Sequence, residues 1–196
     1  MIVGVDVDGI LADFNEGYVK LLGSIAPDVK FPPLGDTYPD TWNYHLAAGV
    51  SKEQNKQSWD YIKNSETFWF DLNPYHNTVS FLVWLKGFSR RHDVYFITNR
   101  MGGNAKFQTE RWLHKAGFGE PTVLLSATKA LACNAVEIDY YVDDKNENVR
   151  DVAQNAPKTK CYMLQRPWNE QINNVPRIES LHDFQNVLTL ATLKGK

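Results

Sequence analysis

The chain has almost no cysteine, no long apolar run and almost no net charge, and each shortage narrows what it can be. Two cysteines in 196 residues, Cys133 and Cys161, are too few for a disulfide framework and suit a reducing compartment. No stretch approaches the roughly 20 apolar residues needed to cross a bilayer, so no membrane partner is expected. A formal charge of −2 speaks against a protein whose affinity rests on a basic nucleic-acid-binding face. Repeats and long polar linkers are missing too. The first apolar run starts at Ile2, which leaves no room for a signal peptide, and the expected location is the cytoplasm. The length is enough for one α/β core carrying an inserted module.

What is present is concentrated at strand ends. The run Ile2 to Val5 delivers Asp6 and Asp8 onto Gly9. A β-branched apolar run reads as a buried parallel strand, and the glycine marks the turn that ends it. Carboxylates placed there lose solvation, which is costly without a compensating cation or hydrogen-bond donors. Hard Mg²⁺, held by carboxylates together with substrate phosphate and water, answers that need. Three later segments repeat the design: Val94 to Ile97 runs into Thr98-Asn99-Arg100, Val123 to Leu125 runs toward Lys129, and Ile138 to Val142 runs into Asp143-Asp144. Ligands of open α/β sheets bind outside the carboxyl ends of the strands, so these groups are expected to converge.

Each residue alone has an ordinary reading. A strand-end Asp often caps a helix or fills a turn, a lone Lys is usually solvated, and Thr98 alone says little. The ordered set says more. DxDG, a strand-end Thr, a Lys and an Asp-Asp pair resemble the haloacid dehalogenase-like phosphatase superfamily. Within it, DVDGILADF, FWFDLNPY and VDDK are similar to the 5'(3')-deoxyribonucleotidase family. The likeness runs from Met1 to about Asn169.

The resemblance implies roles. Asp6 would be the nucleophile that takes the phosphoryl group, and Asp8 the general acid and then base, with its carbonyl on Mg²⁺. Thr98 would hydrogen-bond the phosphoryl oxygens and Lys129 would neutralise nucleophile and phosphate. Asp143 would complete the metal shell, with Asp144 beside it. The implied reaction is Mg²⁺-dependent hydrolysis of (deoxy)nucleoside monophosphates to nucleoside and phosphate, through an aspartyl-phosphate. A polynucleotide terminal phosphatase and another small-molecule phosphatase of the superfamily are the enzyme alternatives; a phosphoacceptor or an inactive binding domain is the non-enzyme one. Receiver domains place their acidic pair on the first strand and the phosphoacceptor on a later one, which does not match DxDG coming first. The partner expected is a small nucleotide rather than nucleic acid, and monomer and homodimer both stay open.

The expected fold is a Rossmann-like parallel sheet flanked by helices, residues 1–14 and 76–196, with a helical cap at 15–75. A crossover needs only a dozen or so residues, so the long interval after the first strand must form an insertion. Helices are expected over Glu16 to Ser24, Lys52 to Asn64, Thr78 to Arg91, Asn146 to Gln154 and Leu181 to Leu193, and from Asn104 to Gly117, with a strand near Lys160 to Leu164. Eleven aromatic residues crowd into 15–75. Most would build the cap's own small core, while Trp42, Phe68 and Trp69 are candidates to stack on a base. Asn99 and Arg100 depart from the family's Thr-Ser/Ala-Pro pattern; Arg100 could grip phosphate bidentately or form a structural ion pair. The Arg166 to Asn169 loop leaves a strand end and is open to a part in the site.

Overall fold

The computed structural model describes residues 1–194. Six apolar segments form one sheet: β1 (Ile2–Val5), β2 (Asp93–Thr98), β3 (Thr122–Leu125), β4 (Tyr140–Asp143), β5 (Lys160–Leu164) and β6 (Arg177–Ile178). Their order is β3-β2-β1-β4-β5-β6 and every neighbouring pair is parallel. Strands of this kind are buried on both faces, which is why they read as short continuous apolar runs. The chain leaves β1 toward β2 on one side and returns to β4 on the other. The crevice between β1 and β4 is therefore a topological switch point, where such sheets bind ligands.

Nine α-helices are described: α1 (Phe14–Ile25), α2 (Tyr44–Ala47), α3 (Lys52–Asn64), α4 (Phe68–Asp71), α5 (Thr78–Phe88), α6 (Ala105–Lys115), α7 (Lys129–Ala135), α8 (Asn146–Asn155) and α9 (Leu181–Lys194). None is long and apolar enough to cross a membrane. Helix α3 matches its expected limits because Ser51 and Gln54 form a reciprocal capping box. Helix α1 starts before Glu16, since Asp13 accepts the Glu16 N–H and caps it. Helix α5 stops at Phe88, three residues short of Arg91. Asn104 holds the N-cap position of α6 without a side-chain cap, and its side-chain Oδ1 accepts from Gln108 Nε2 instead. The short elements α4, α7 and β6 are too brief for periodicity to reveal.

Two apolar clusters lie on the sheet. One joins Val3, Val5 and Phe96 to Leu85 of α5, Trp112 of α6 and Phe184 of α9; the other joins Ile97, Tyr141 and Met163 to Cys133 of α7 and Val152 of α8. The insertion between β1 and β2 differs from expectation in one respect. Its buried rings, Tyr18, Phe68 and Trp69 among them, belong to the first of these clusters rather than to a core of their own. Phe14 is the reason: its ring stacks on Tyr18, Trp59 and Trp69 at 5.2, 5.9 and 5.9 Å, fusing the insertion to the β1 end of the sheet.

Candidate active site

The strand ends converge. Asp6 follows β1, Thr98 ends β2, Lys129 opens α7 after β3, and Asp143 ends β4. Asp6, Asp143 and Asp144 are all buried, and one oxygen from each lies within 4.8 Å of the others. Gly9 makes this approach possible. It has φ +80°, and a Cβ there would stand 2.3 Å from Asp144 Oδ2. Only glycine takes that backbone freely and leaves that room.

Three buried carboxylates face one ammonium. Lys129 Nζ donates to Asp6 Oδ1 at 2.8 Å and also to the Ile97 carbonyl. Burial and the charges of Asp143 and Asp144 push the Asp6 carboxyl well above its usual range, against the pull of Lys129. Burial works to lower the Lys129 ammonium, yet Asp6 and Asp143 hold it above its ordinary value. Asp144 is raised to about 7, by burial first and then by Asp143. Its Oδ1 is buried without a hydrogen-bond partner. An orphaned carboxylate oxygen, a surplus of negative charge and an all-oxygen donor set fit a hard divalent cation.

Asp143 is held from all sides. Tyr141 Oη donates to Oδ2 at 2.6 Å, the Lys145 N–H donates to Oδ1 at 2.8 Å, and Asn148 Nδ2 reaches both oxygens at 3.0 Å. The Arg166–Asn169 segment touches the site as well. Trp168 Nε1 donates to Asp144 Oδ2 at 2.7 Å, Asn169 Nδ2 donates to the Asp144 carbonyl at 2.7 Å, and Arg166 Nε donates to the Gly9 carbonyl at 2.7 Å. Tyr141 and Asn148 escaped sequence reading, whereas Trp168 lies in the Arg166 to Asn169 loop that the sequence left open to a part in the site. For Asn148 a signal existed: it falls in the first turn of α8, facing back toward Asp143.

Asp8 points elsewhere. Its carboxylate takes three donations from Arg100, with Nη2 at 2.8 Å, and one from Thr98 Oγ1 at 3.2 Å. Thr98, expected on phosphoryl oxygens, thus spends its proton on Asp8. Arg100, an expected substrate contact, is only 3 % exposed and lies behind Asp8. Its Nη1 donates to Thr109 Oγ1 at 3.1 Å, and its guanidinium rests 5.0 Å from the Trp69 ring, so the alternative of a structural ion pair describes it.

A cleft of about 350 Å³ runs from these groups into the insertion. Asp6, Asp8, Thr98, Lys129 and Asp144 line its floor, with Asn99 at the side. Trp42 and Trp69 line its wall, joined by Phe14, Tyr18 and Trp59, which were not singled out from sequence. Phe68 does not line it. Its ring packs edge-on against Phe14 and Trp69, on the far side of the wall.

Solved structures share this architecture. A haloacid dehalogenase-like hydrolase of Streptococcus pneumoniae superposes with TM-score 0.62 at 10% identity, covering 95% of this chain and 97% of that one. The hydrolase YfnB of Bacillus subtilis, bound to magnesium, gives 0.61 at 12% identity over 96% and 98%. A hydrolase of Deinococcus radiodurans R1 with bound phosphate and sodium gives 0.60 at 11% identity over 98% and 96%. The fold is therefore that of the haloacid dehalogenase-like hydrolases. More narrowly, residues 1–194 match the model of one family, and the chain belongs to it: 5' nucleotidase, deoxy (pyrimidine), cytosolic type C protein. It is a hydrolase of the haloacid dehalogenase type, with Asp6, Asp143 and Asp144 as its carboxylate cluster. No curated protein matches it by sequence.

Proposed function

We propose that this chain hydrolyses (deoxy)nucleoside monophosphates to nucleoside and phosphate. One observation carries the reading: a single cleft joins a carboxylate-lysine floor suited to a phosphate with an aromatic wall suited to a base. Every base offers a π face, and rings such as Trp42 and Trp69 stack on it without regard to sequence. Residues 15–75 serve as a cap in this reading, shielding the reacting groups from water. Two free, buried thiols, Cys133 and Cys161, go with a cytoplasmic setting.

The chemistry divides into two displacements. An Asp6 carboxylate oxygen attacks phosphorus, the ester P–O bond breaks, and Asp8, entering the cycle protonated, gives that proton to the leaving oxygen. Water then attacks the aspartyl-phosphate, Asp8 takes the water's proton, and the Asp6 carboxylate leaves with the electron pair of its P–O bond. Lys129 offsets charge at Asp6 throughout. Arg100 and Thr98 aim Asp8, and a fixed geometry of this sort is what makes acid-base help effective. Mg²⁺, held by Asp6, Asp143 and Asp144, would supply charge neutralisation at the phosphoryl oxygens.

The test is phosphate release from 5'- and 3'-mononucleotides, a small generic phosphate ester and a 5'-phosphorylated oligonucleotide, with Mg²⁺ or chelator. Mononucleotides should be turned over fastest and only with metal. Faster release from the oligonucleotide would favour a polynucleotide phosphatase. Equal rates on the generic ester would leave a phosphatase without nucleotide preference.

A further inference from the structure

Trp168 stands between the insertion and the carboxylate cluster. Its indole Nε1 donates to Asp144 Oδ2, and the only other side-chain oxygen of Asp144 is the orphaned Oδ1. The indole therefore fixes which oxygen stays free. On its other side, Trp168 meets Trp42 edge-to-face, with centroids 5.8 Å apart. Trp42 belongs to a stretch whose only regular element is the four-residue α2, so its placement rests on side-chain contacts rather than on a helix of its own. Its ring meets two core residues, Trp168 edge-to-face and the Lys145 ammonium 5.3 Å from the ring centroid. The second contact does not reach a carboxylate, because Lys145 binds Asp143 through its backbone N–H while the ammonium sits at the end of a flexible stem. The first does reach one, through a rigid ring.

We infer that Trp168 is a positioning residue that couples seating of the insertion, sensed through Trp42, to the orientation of Asp144 and hence to cation binding. The inference rests on the reading of Asp6, Asp143 and Asp144 as the cation site. With Trp42 in place, the Trp168 ring is buttressed, its N–H stays on Oδ2, and Oδ1 stays the unpartnered oxygen. With Trp42 displaced, the indole gains freedom and Asp144 loses its fixed orientation. Coupling of this kind is reciprocal, so a bound cation also favours the seated insertion.

The test measures cation binding to the free protein, without substrate or turnover. Mn²⁺, which takes the same octahedral oxygen sites as Mg²⁺, is counted by electron paramagnetic resonance in the unsubstituted chain, Trp168→Phe, Trp42→Ala and the double variant. Trp168→Phe keeps an aromatic ring and removes the N–H. Loss of an outer partner of a metal ligand weakens binding about 10–100-fold, and that range is expected here. Trp42→Ala, which removes no ligand contact, should weaken Mn²⁺ by about fivefold or more, at the low end of allosteric couplings. The double variant should bind like Trp168→Phe alone, since the relay is already cut. Unchanged affinity in Trp168→Phe overturns the inference, as do losses that multiply in the double variant. If Trp168→Phe does not fold, Trp42→Ala decides alone, and unchanged affinity there overturns it. Absence of Mn²⁺ binding by the unsubstituted chain would overturn the cation site itself, and the relay with it.

Discussion

The guanidinium of Arg100 grips both carboxylate oxygens of Asp8, with Nη2 2.8 Å from Oδ1 and Nε 3.0 Å from Oδ2. The Arg side chain is fully buried and that of Asp8 is 17% exposed, so the pair sits at the inner edge of the cleft. It gives the proposed acid-base residue a fixed direction, and it makes the two residues interdependent for folding as well as for chemistry.

Removing one member of such a pair leaves a buried charge without compensation. Arg100→Met should therefore destabilise the chain by about 3–5 kcal/mol in urea unfolding. Arg100→Met combined with Asp8→Asn should recover part of that loss, because the orphaned charge is gone. A double variant no more stable than Arg100→Met would mean that the pair contributes packing alone.

The carboxylate cluster predicts an acid-favoured stability for the metal-free chain. Burial and mutual repulsion raise Asp144 from 3.8 to about 7, and raise Asp6 too. Between those two values the folded chain holds a proton that the unfolded chain has released, so stability falls as pH rises through the window. Mg²⁺ should restore stability above it, and Asp144→Asn should flatten the slope. Melting temperatures measured across pH with and without metal check all three.

Gly9→Ala should impair cation binding and turnover although it replaces no charged group. The added Cβ meets the Asp144 carboxylate at 2.3 Å on a backbone with φ +80°, so Asp144 must move or the turn must open. Cation affinity is expected to drop at least about tenfold, the scale of displacing a group that holds a metal ligand. Mn²⁺ binding and turnover measured side by side will show whether they fall together.

The cleft wall predicts a contrast between two rings. At saturating Mg²⁺, Trp42→Leu should slow mononucleotide hydrolysis about ten- to a hundredfold relative to a generic ester, since stacking is worth about 1–3 kcal/mol per base. Phe68→Leu should affect both substrates alike, because its ring faces Phe14 and Trp69 away from the cleft. The ratio of kcat/KM values on the two substrates separates the cases.

The sequence by itself determined strands β1 to β5, the order of the charged groups at their ends, and helix α3. These are local matters: an apolar run, a turn glycine and a capping box act within a few residues of one another. Tertiary structure decided the direction in which those groups face. Arg100 and Asp8 are 92 positions apart in the chain, and nothing in either neighbourhood says that they pair rather than meet a phosphate. Thr98 gives its proton to Asp8, and Trp168 supplies the N–H for Asp144, for the same reason: the β3-β2-β1-β4-β5-β6 order brings distant strand ends to one crevice. The wall of the cleft was half legible. Trp42 and Trp69 line it and Phe68 does not, because a cluster of rings on a four-residue helix points in several directions and only the packing around Phe14 selects which ones face the cleft.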